Sequence, residues 1–362
     1  MNIETLAAKG TSKSESTSFK LIVHIGAGKA GSSSIQESLS SARQLLKVNG
    51  HDYWGLMLEY APVHTYEWQK DSASKQFLGM SEQEAKKQLV DVLMQSIVSA
   101  QESGIRAAIW SNEWLFRRHK IIIPALKAIE EKGTRVCIIA YVRNHDAWAK
   151  SAYLQWGLKH KTYKGPLIPF KEYFRTRPIM FGSVLETWSQ NFSNSFTLRN
   201  FDAVQDVVQD FSEAIHLPVM ISSARVNEAP GPEELFLRAL FNNEIDGESA
   251  PVIFDKVFSA NRIDFNMVAD EWIKALLPTN QDLEEVASSS AKDKDTVNSI
   301  LASQGLPVFG KQTVSVNSTK LDSEKMLSIL MQIVVGQARK LHKLQKDIQS
   351  ISKENSIAES SK

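Results

Sequence analysis

Short apolar runs alternate with longer amphipathic stretches along the first two thirds of this chain, the pattern of strands joined by helices. Leu21, Ile22, Val23 and Ile25 read as a buried strand that breaks into a loop holding Gly26, Gly28 and Gly31. Ile35, Leu39, Ala42, Leu45 and Leu46 then recur at helical spacing and predict a helix over 32–47. His51, Tyr53, Trp54, Tyr60, His64, Tyr66 and Trp68 make 51–68 an aromatic loop. Ser81 with Glu84 three residues on forms a capping-box signal for a helix over 81–103. A short strand over 107–110 ends in Ser111-Asn112-Glu113, a helix over 121–132 is stopped by Gly133, and 135–143 is the most strand-like run. Residues 146–158 and 170–188 read as helices, 195–201 as a fourth strand, and 203–216 as a helix ended by Pro218. Beyond Asn227 the alternation fades: 232–242 reads as helix and 280–295 as a polar linker or insertion. The expected fold is α/β, a three-layer parallel sheet flanked by helices, with a C-terminal helical extension and ligands at the carboxyl ends of the strands.

The far end has its own rhythm. Leu327, Leu330, Val334, Gln337, Leu341, Leu344, Ile348 and Ile351 follow alternating steps of three and four, a heptad seam with one polar interruption. An amphipathic helix over 321–355 follows, either packed on its own domain or joining two copies through 327–351. Residues 1–18 read as a flexible lead-in, 246–320 as a variable extension or subdomain, and 356–362 as a disordered tail.

Composition narrows the class. A chain of 362 residues with 43% hydrophobic and 23% charged residues is that of an ordinary globular protein. The formal net charge of +1 argues against a dedicated nucleic-acid binder. The single cysteine, Cys137, excludes an internal disulfide and, lying in an apolar run, reads as an inert strand thiol. No apolar run approaches the ~20 residues of a membrane span, and the first residues lack a signal-peptide core. The expectation is a cytoplasmic enzyme without a transmembrane segment.

Strand, glycine-rich loop and helix is the arrangement that places backbone N–H groups and a helix N-terminus around a phosphate. Within the loop Lys29 supplies a point charge and Ser32, Ser33 and Ser34 supply hydroxyls. It is not a Walker A loop: the first glycine position falls on Val23, and Ala30 follows Lys29 where a magnesium-binding hydroxyl is required. A magnesium NTPase would also want an acidic residue ending a neighbouring strand, and the two best later strand candidates end in Ser111-Asn112-Glu113 and Val142-Arg143 instead. After the later strand, Arg143-Asn144-His145-Asp146 leads to Ser151 two helical turns on, a guanidinium and a hydroxyl suited to one anion.

Together the Lys-x-Gly-Ser-Ser loop and the Arg-Asn-x-Asp-x-x-x-x-Ser segment resemble the sulfotransferases that use PAPS, 3′-phosphoadenosine-5′-phosphosulfate. Residues 111–113 and the segment Arg225-Val226-Asn227-Glu228 are similar to stretches of bacterial members that act on carbohydrate. The resemblance covers about 19–230 and implies a P-loop-type domain over 19–245. It also implies that Gly28, Lys29, Ala30, Gly31, Ser32 and Ser33 hold the 5′-phosphosulfate and that Arg143 and Ser151 hold the 3′-phosphate. Ala30 departs from the Ser or Thr usual in that family, which removes one phosphate donor.

The chemistry expected is sulfuryl transfer from PAPS, leaving PAP, to a hydroxyl of a carbohydrate or glycolipid, without metal ligands in the site. Lys29 would stabilise the departing bridging oxygen and Glu113, at a neighbouring strand end, would take the acceptor proton. His51 and His64 are rival bases, and His145 reads as structural. The aromatic loop serves either as a cover over the sheet edge or as a sugar platform. The basic run Arg117, Arg118, His119 and Lys120 is a solvated helix start or an attractor for an anionic acceptor. Two alternatives remain: an inactive sulfotransferase-like binding or assembly protein, and an atypical P-loop kinase.

Overall fold

The structure is a computed structural model that describes residues 18–70, 73–224, 232–243, 245–258 and 275–310, with seven isolated positions between 327 and 348. Its contacts form two compact units, Met1–Val142 with Val184–Val226, and Arg143–Ser183 with Asn227–Lys362.

The first unit is built on a five-stranded parallel sheet in the order β2-β3-β1-β4-β5. The strands are β1 (Lys20–His24), β2 (His51–Tyr53), β3 (Ala107–Ser111), β4 (Arg135–Val142) and β5 (Phe196–Asn200). Central β1 pairs with β3 from Lys20↔Ala107 to His24↔Ser111 and with β4 from Lys20↔Arg135 to His24↔Ile139. β1 is buried from Leu21 onward and β3 along its whole length, as apolar strands between two covered faces must be.

Residues two apart share a face. Ile22, Ile109, Ile139 and Tyr141 pack with Ile35 and Leu39 of α1 (Ser32–Ser41), Leu46 of α2 (Arg43–Val48), and Phe211 of α9 (Val207–Ala214). On the other face α4 (Glu82–Glu102) packs against α5 (His119–Glu130), and α5 against β4. α4 shows why the sequence is legible here. The Ser81 hydroxyl accepts the Glu84 N–H at 3.2 Å, and Ala85, Leu89, Val92, Leu93, Ile97 and Ala100 form one buried stripe. The α/β expectation therefore stands, as a parallel sheet with flanking helices.

Several local expectations need correction. The helix expected over 32–47 is two, α1 and α2, broken at Ala42, which lets Arg43 turn to Asp52 (3.1 Å) and the Tyr60 carbonyl (2.6 Å). The start of the aromatic loop, His51–Tyr53, is an edge strand on β3, and Ser74–Gly79 beyond that loop forms the short α3. Trp54 and Trp68 are fully buried and offer no face to a sugar ring, whereas Tyr60 and Leu56 stay exposed. The stretch over 170–188 is split into α7 (Phe170–Arg175) and α8 (Gly182–Asn191), with Pro178 in the gap, where a helix cannot run on. Cys137 is only partly buried.

The second unit holds α6 (His145–Ala152), the π-helical stretch Tyr153–Lys159, α7, α10 (Pro232–Asn243) and α11 (Pro251–Phe258). The expected linker over 280–295 is instead α12 (Asn280–Ser289), packed on α6, followed by α13 (Ala291–Ser303). Thr279 and Asp282 cap α12 reciprocally, and Leu283, Val286, Val297 and Leu301 are its sparse buried positions with those of α13. The His145 ring is wholly buried, with Nε2 2.7 Å from Asp293 Oδ2. Asp293 also accepts the N–H groups of Phe181 and Gly182, both at 2.9 Å, so one carboxylate ties three segments together. Burial pushes the Asp293 pKa up, but these hydrogen bonds outweigh it and the net shift is downward. His145 is structural, as expected. Lys161, also buried, donates to the carbonyls of Asn242 and Ile245 at the end of α10.

Of the heptad seam, Leu327, Leu330, Val334, Leu344 and Ile348 are exposed. Leu341 and Ile351 lie outside the described residues, as do residues 1–17, Arg225, Val226, Asn227, Glu228 and the tail over 356–362. Among the described residues no helix is long and apolar enough to cross a membrane.

Candidate functional site

The carboxyl ends of β1, β3 and β4 meet at the glycine-rich loop. Pairing continues past the strands: Asn112 N–H donates to the His24 carbonyl (3.0 Å), Ile25 N–H to Ile139 (2.9 Å) and Ala27 N–H to Tyr141 (3.1 Å). The connections leaving β1 and β3 run to opposite faces, the condition that opens a crevice at strand ends.

The loop then turns sharply. Gly28 (φ 70°), Lys29 (φ 53°) and Gly31 (φ 86°) all lie in the left-handed region. For the two glycines that conformation is free of side-chain strain; for Lys29 it is a stored cost of the kind concentrated at ligand sites. Gly31 is the N-cap of α1 and gives no side-chain cap. Ser34 and Ile35 donate back to the Gly31 carbonyl, whereas the N–H groups of Ser32 and Ser33 have no partner among the described residues. A helix N-terminus with open donors carries partial positive charge and favours an anion.

A second observation points the same way. His24 Nε2 and Ser32 Oγ are both buried and both lack a hydrogen-bond partner among the described residues. A Cβ placed on Gly26 would stand 3.1 Å from the first and 2.7 Å from the second, so the two atoms converge over that glycine. The His24 ring lies edge-on to Tyr141 and tilted against Phe211, with Nδ1 2.7 Å from Ser111 Oγ. Burial without a compensating charge pushes its pKa down to about 3, so the imidazole is neutral.

Glu113 stands beside this loop. It opens the 3₁₀ turn Glu113–Arg118, and Gln36 of α1 donates to its Oε2 at 3.0 Å and to the Ser111 carbonyl at 3.4 Å. Asn112, not Glu113, caps the turn, accepting the Trp114 N–H at 2.9 Å, and no ion pair joins Glu113 to Arg117 or Arg118 among the described residues. Glu113 is half-buried, and Gln36 links its carboxylate to α1, the helix that follows the glycine-rich loop.

The expected residues do not all play equal parts. Gly28, Lys29, Gly31, Ser32, Ser33 and Glu113 are brought together in the first unit. The Ala30 side chain is fully buried in the cluster of Ile22, Ile35 and Leu39, so it is a packing residue and not a gap in the cradle. His51 pairs with Ala107, at the amino end of the sheet, with Nδ1 on the Asn49 carbonyl. It is on the wrong edge to serve as base. The exposed His64 is engaged by the Glu59 carbonyl at 2.8 Å. Arg143 and Ser151 belong to the second unit, Arg143 preceding α6 and Ser151 in its last turn, both half-buried. Seven residues separate them, six of them in α6, and the helix rises about 9 Å from His145 to Ser151, a span left to the long Arg143 side chain.

His24, Gln36 and the Ser111 hydroxyl were not anticipated. The available signal was a histidine inside an otherwise apolar strand, which needs a buried partner. No protein-family model matches this chain, and no curated protein matches its sequence.

Proposed function

We propose that the chain is a sulfotransferase moving a sulfuryl group from PAPS to a hydroxyl of a carbohydrate or glycolipid, on a P-loop-type domain. The observation that carries this reading is the pairing of an anion cradle with a carboxylate across two adjacent strand ends. Open N–H groups of Ser32 and Ser33, left-handed Lys29 and the unpartnered Ser32 hydroxyl stand on β1's side; Glu113, held by Gln36, stands on β3's side.

In the step proposed, Glu113 accepts the proton of the acceptor hydroxyl as its oxygen forms a bond to sulfur. The bond from sulfur to the bridging 5′-phosphate oxygen breaks, and its electron pair stays on that oxygen, giving PAP. Lys29 and the α1 N-terminus stabilise the charge that develops there. Arg143 and Ser151 are the residues for the 3′-phosphate, whose recognition separates PAPS from ATP. The position after Lys29, where a kinase of this loop type needs a magnesium-binding hydroxyl, is the core residue Ala30.

Calorimetry with PAP and with ATP, each with and without Mg²⁺, tests the reading. Metal-independent PAP binding, weakened at least tenfold in Arg143→Ala, supports it. Binding of Mg-ATP in preference to PAP replaces it with the kinase. Glu113→Gln should bind PAP normally and lose roughly 100-fold or more in turnover. PAP binding with no transfer to any hydroxyl acceptor indicates the inactive binding module. Self-association through 327–351 is a separate proposal, resting on the exposed seam and read by sedimentation of the full chain.

A further inference from the structure

His24 is buried, neutral, and turned toward the phosphate loop, yet no step above uses it. Its place in the strand explains half of its bonding. Ser111 lies directly opposite in the β1–β3 register, and its Oγ meets His24 Nδ1 at 2.7 Å. Ser111 is itself wholly buried, and its hydroxyl has no second partner among the described residues.

That pairing fixes the tautomer by a count of unsatisfied atoms. If Nδ1–H donated to Ser111 Oγ, the Ser111 proton would be stranded, and so would a bare lone pair on Nε2. If Ser111 O–H donates to Nδ1, only one polar group is left over, and it is the Nε2–H donor. An anion at the loop also rejects a lone pair and attracts a donor. Both arguments choose Nε2–H.

The leftover donor has an obvious acceptor. Ser32 Oγ, likewise without a partner among the described residues, faces the same point above Gly26. We propose that occupation of the loop by an anion closes a hydrogen-bond relay: Ser111 O–H to His24 Nδ1, His24 Nε2–H to Ser32 Oγ, and Ser32 O–H to the bound anion. His24 is then a positioning residue. It anchors the first turn of α1 to the strand end that also carries Glu113, so the donor-side loop and the acceptor-side carboxylate share one support. Gly26 keeps the gap between the two atoms clear; any Cβ there would occupy it. The inference deepens the sulfuryl-donor reading, but needs only that the loop takes an anion.

Histidine ¹⁵N spectra of the full-length chain test it, with His24 assigned from His24→Gln. The expected result is a neutral Nε2–H tautomer whose Nε2–H resonance moves when PAP is added. Ser32→Ala, which removes the acceptor of that donor, should abolish the PAP-induced movement. Gly26→Ala, which fills the gap while leaving His24 and Ser32 in place, should weaken PAP binding about tenfold and abolish the PAP-induced shift. An Nδ1–H tautomer overturns the relay, as does wild-type PAP affinity with an unchanged His24 response in Gly26→Ala. Failure of the wild-type chain to bind PAP at all defeats the sulfotransferase reading instead. The relay is then judged by the tautomer and by titration with inorganic phosphate: an Nε2–H resonance that does not move as phosphate binds, or that moves equally in Ser32→Ala, overturns it.

Discussion

Removing the His24 imidazole should remove a specific piece of the protein's acid sensitivity. In the folded chain His24 takes up a proton only near pH 3, against an ordinary value of 6.5. Between those limits the unfolded chain binds a proton that the folded chain refuses, so acid favours unfolding and stability rises with pH. The contribution is fully present above about 6.5 and drains away as pH falls toward 3. Each pH unit below 6.5 costs about 1.4 kcal/mol, so roughly 2 kcal/mol is gone at about pH 5. His24 is 0% exposed, so solvent screening does not reduce this figure. Half-buried His51 is shifted the same way by burial and by nearby Arg106 and Lys20, and contributes in the same window. The comparison that isolates His24 is therefore wild type against His24→Gln, which keeps a polar group and does not titrate. Urea unfolding of both at several pH values and fixed ionic strength gives the difference in stability. That difference should change by roughly 2 kcal/mol between about pH 7.5 and about pH 5, in the sense that the variant loses less. A difference that stays constant with pH would show that His24 is hydrated or charged in the folded state, and would falsify the account of a dry, neutral imidazole.

Three further outcomes follow from single contacts. Gly31→Ala puts a Cβ 2.9 Å from Phe201 and Val207 at a φ of +86°, and should destabilise by about 2–4 kcal/mol while weakening PAP binding, read by urea unfolding and calorimetry. Asp210→Ala strands the Tyr141 hydroxyl (2.5 Å) and its ion-pair partner Arg199; about 2–3 kcal/mol should be lost, less than for a fully buried pair because Arg199 reaches solvent. Asp293→Ala leaves buried His145 and the N–H groups of Phe181 and Gly182 without an acceptor, and thermal unfolding should show a loss of about 3 kcal/mol. Since the Asp293 carboxyl is held below its ordinary value, the wild-type contribution persists above the usual carboxylate range and is lost only as pH falls through it.

Where a buried face is continuous, the sequence announces it; where a segment is held by one or two polar contacts, it does not. β1, β3 and β4 were legible as apolar runs because both faces of the sheet are covered there, whereas β5 alternates, with Phe196 and Leu198 buried and Thr197 and Arg199 only partly so. β2 was not, since His51-Asp52-Tyr53 is three residues long and its buried Asp52 depends on Arg43, a partner no periodicity reveals. α12 and α13 hid for a related reason: few apolar positions mark them, and much of their anchoring comes from a cap at Thr279 and from Asp293 on distant backbone. The same division runs through the site. Gly28, Lys29, Gly31 and Ser32 betray themselves by residue type, because a chain must use glycine to turn so tightly and polar groups to meet an anion. Glu113 is visible by its place at a strand end. His24 and Gln36 are not, because each looks like an ordinary strand or helix residue until the strand register brings Ser111 and Glu113 alongside. A residue that acts by holding another residue is specified by the fold and not by its neighbours in sequence, and in this chain those residues tie the loop after β1 to the end of β3. If their role is positional, conservative replacements at His24 and Gln36 should disturb the alignment of cradle and carboxylate more than the strength of either alone. Turnover should then fall further than PAP affinity, the opposite of what removing a cradle donor such as Lys29 should do to affinity.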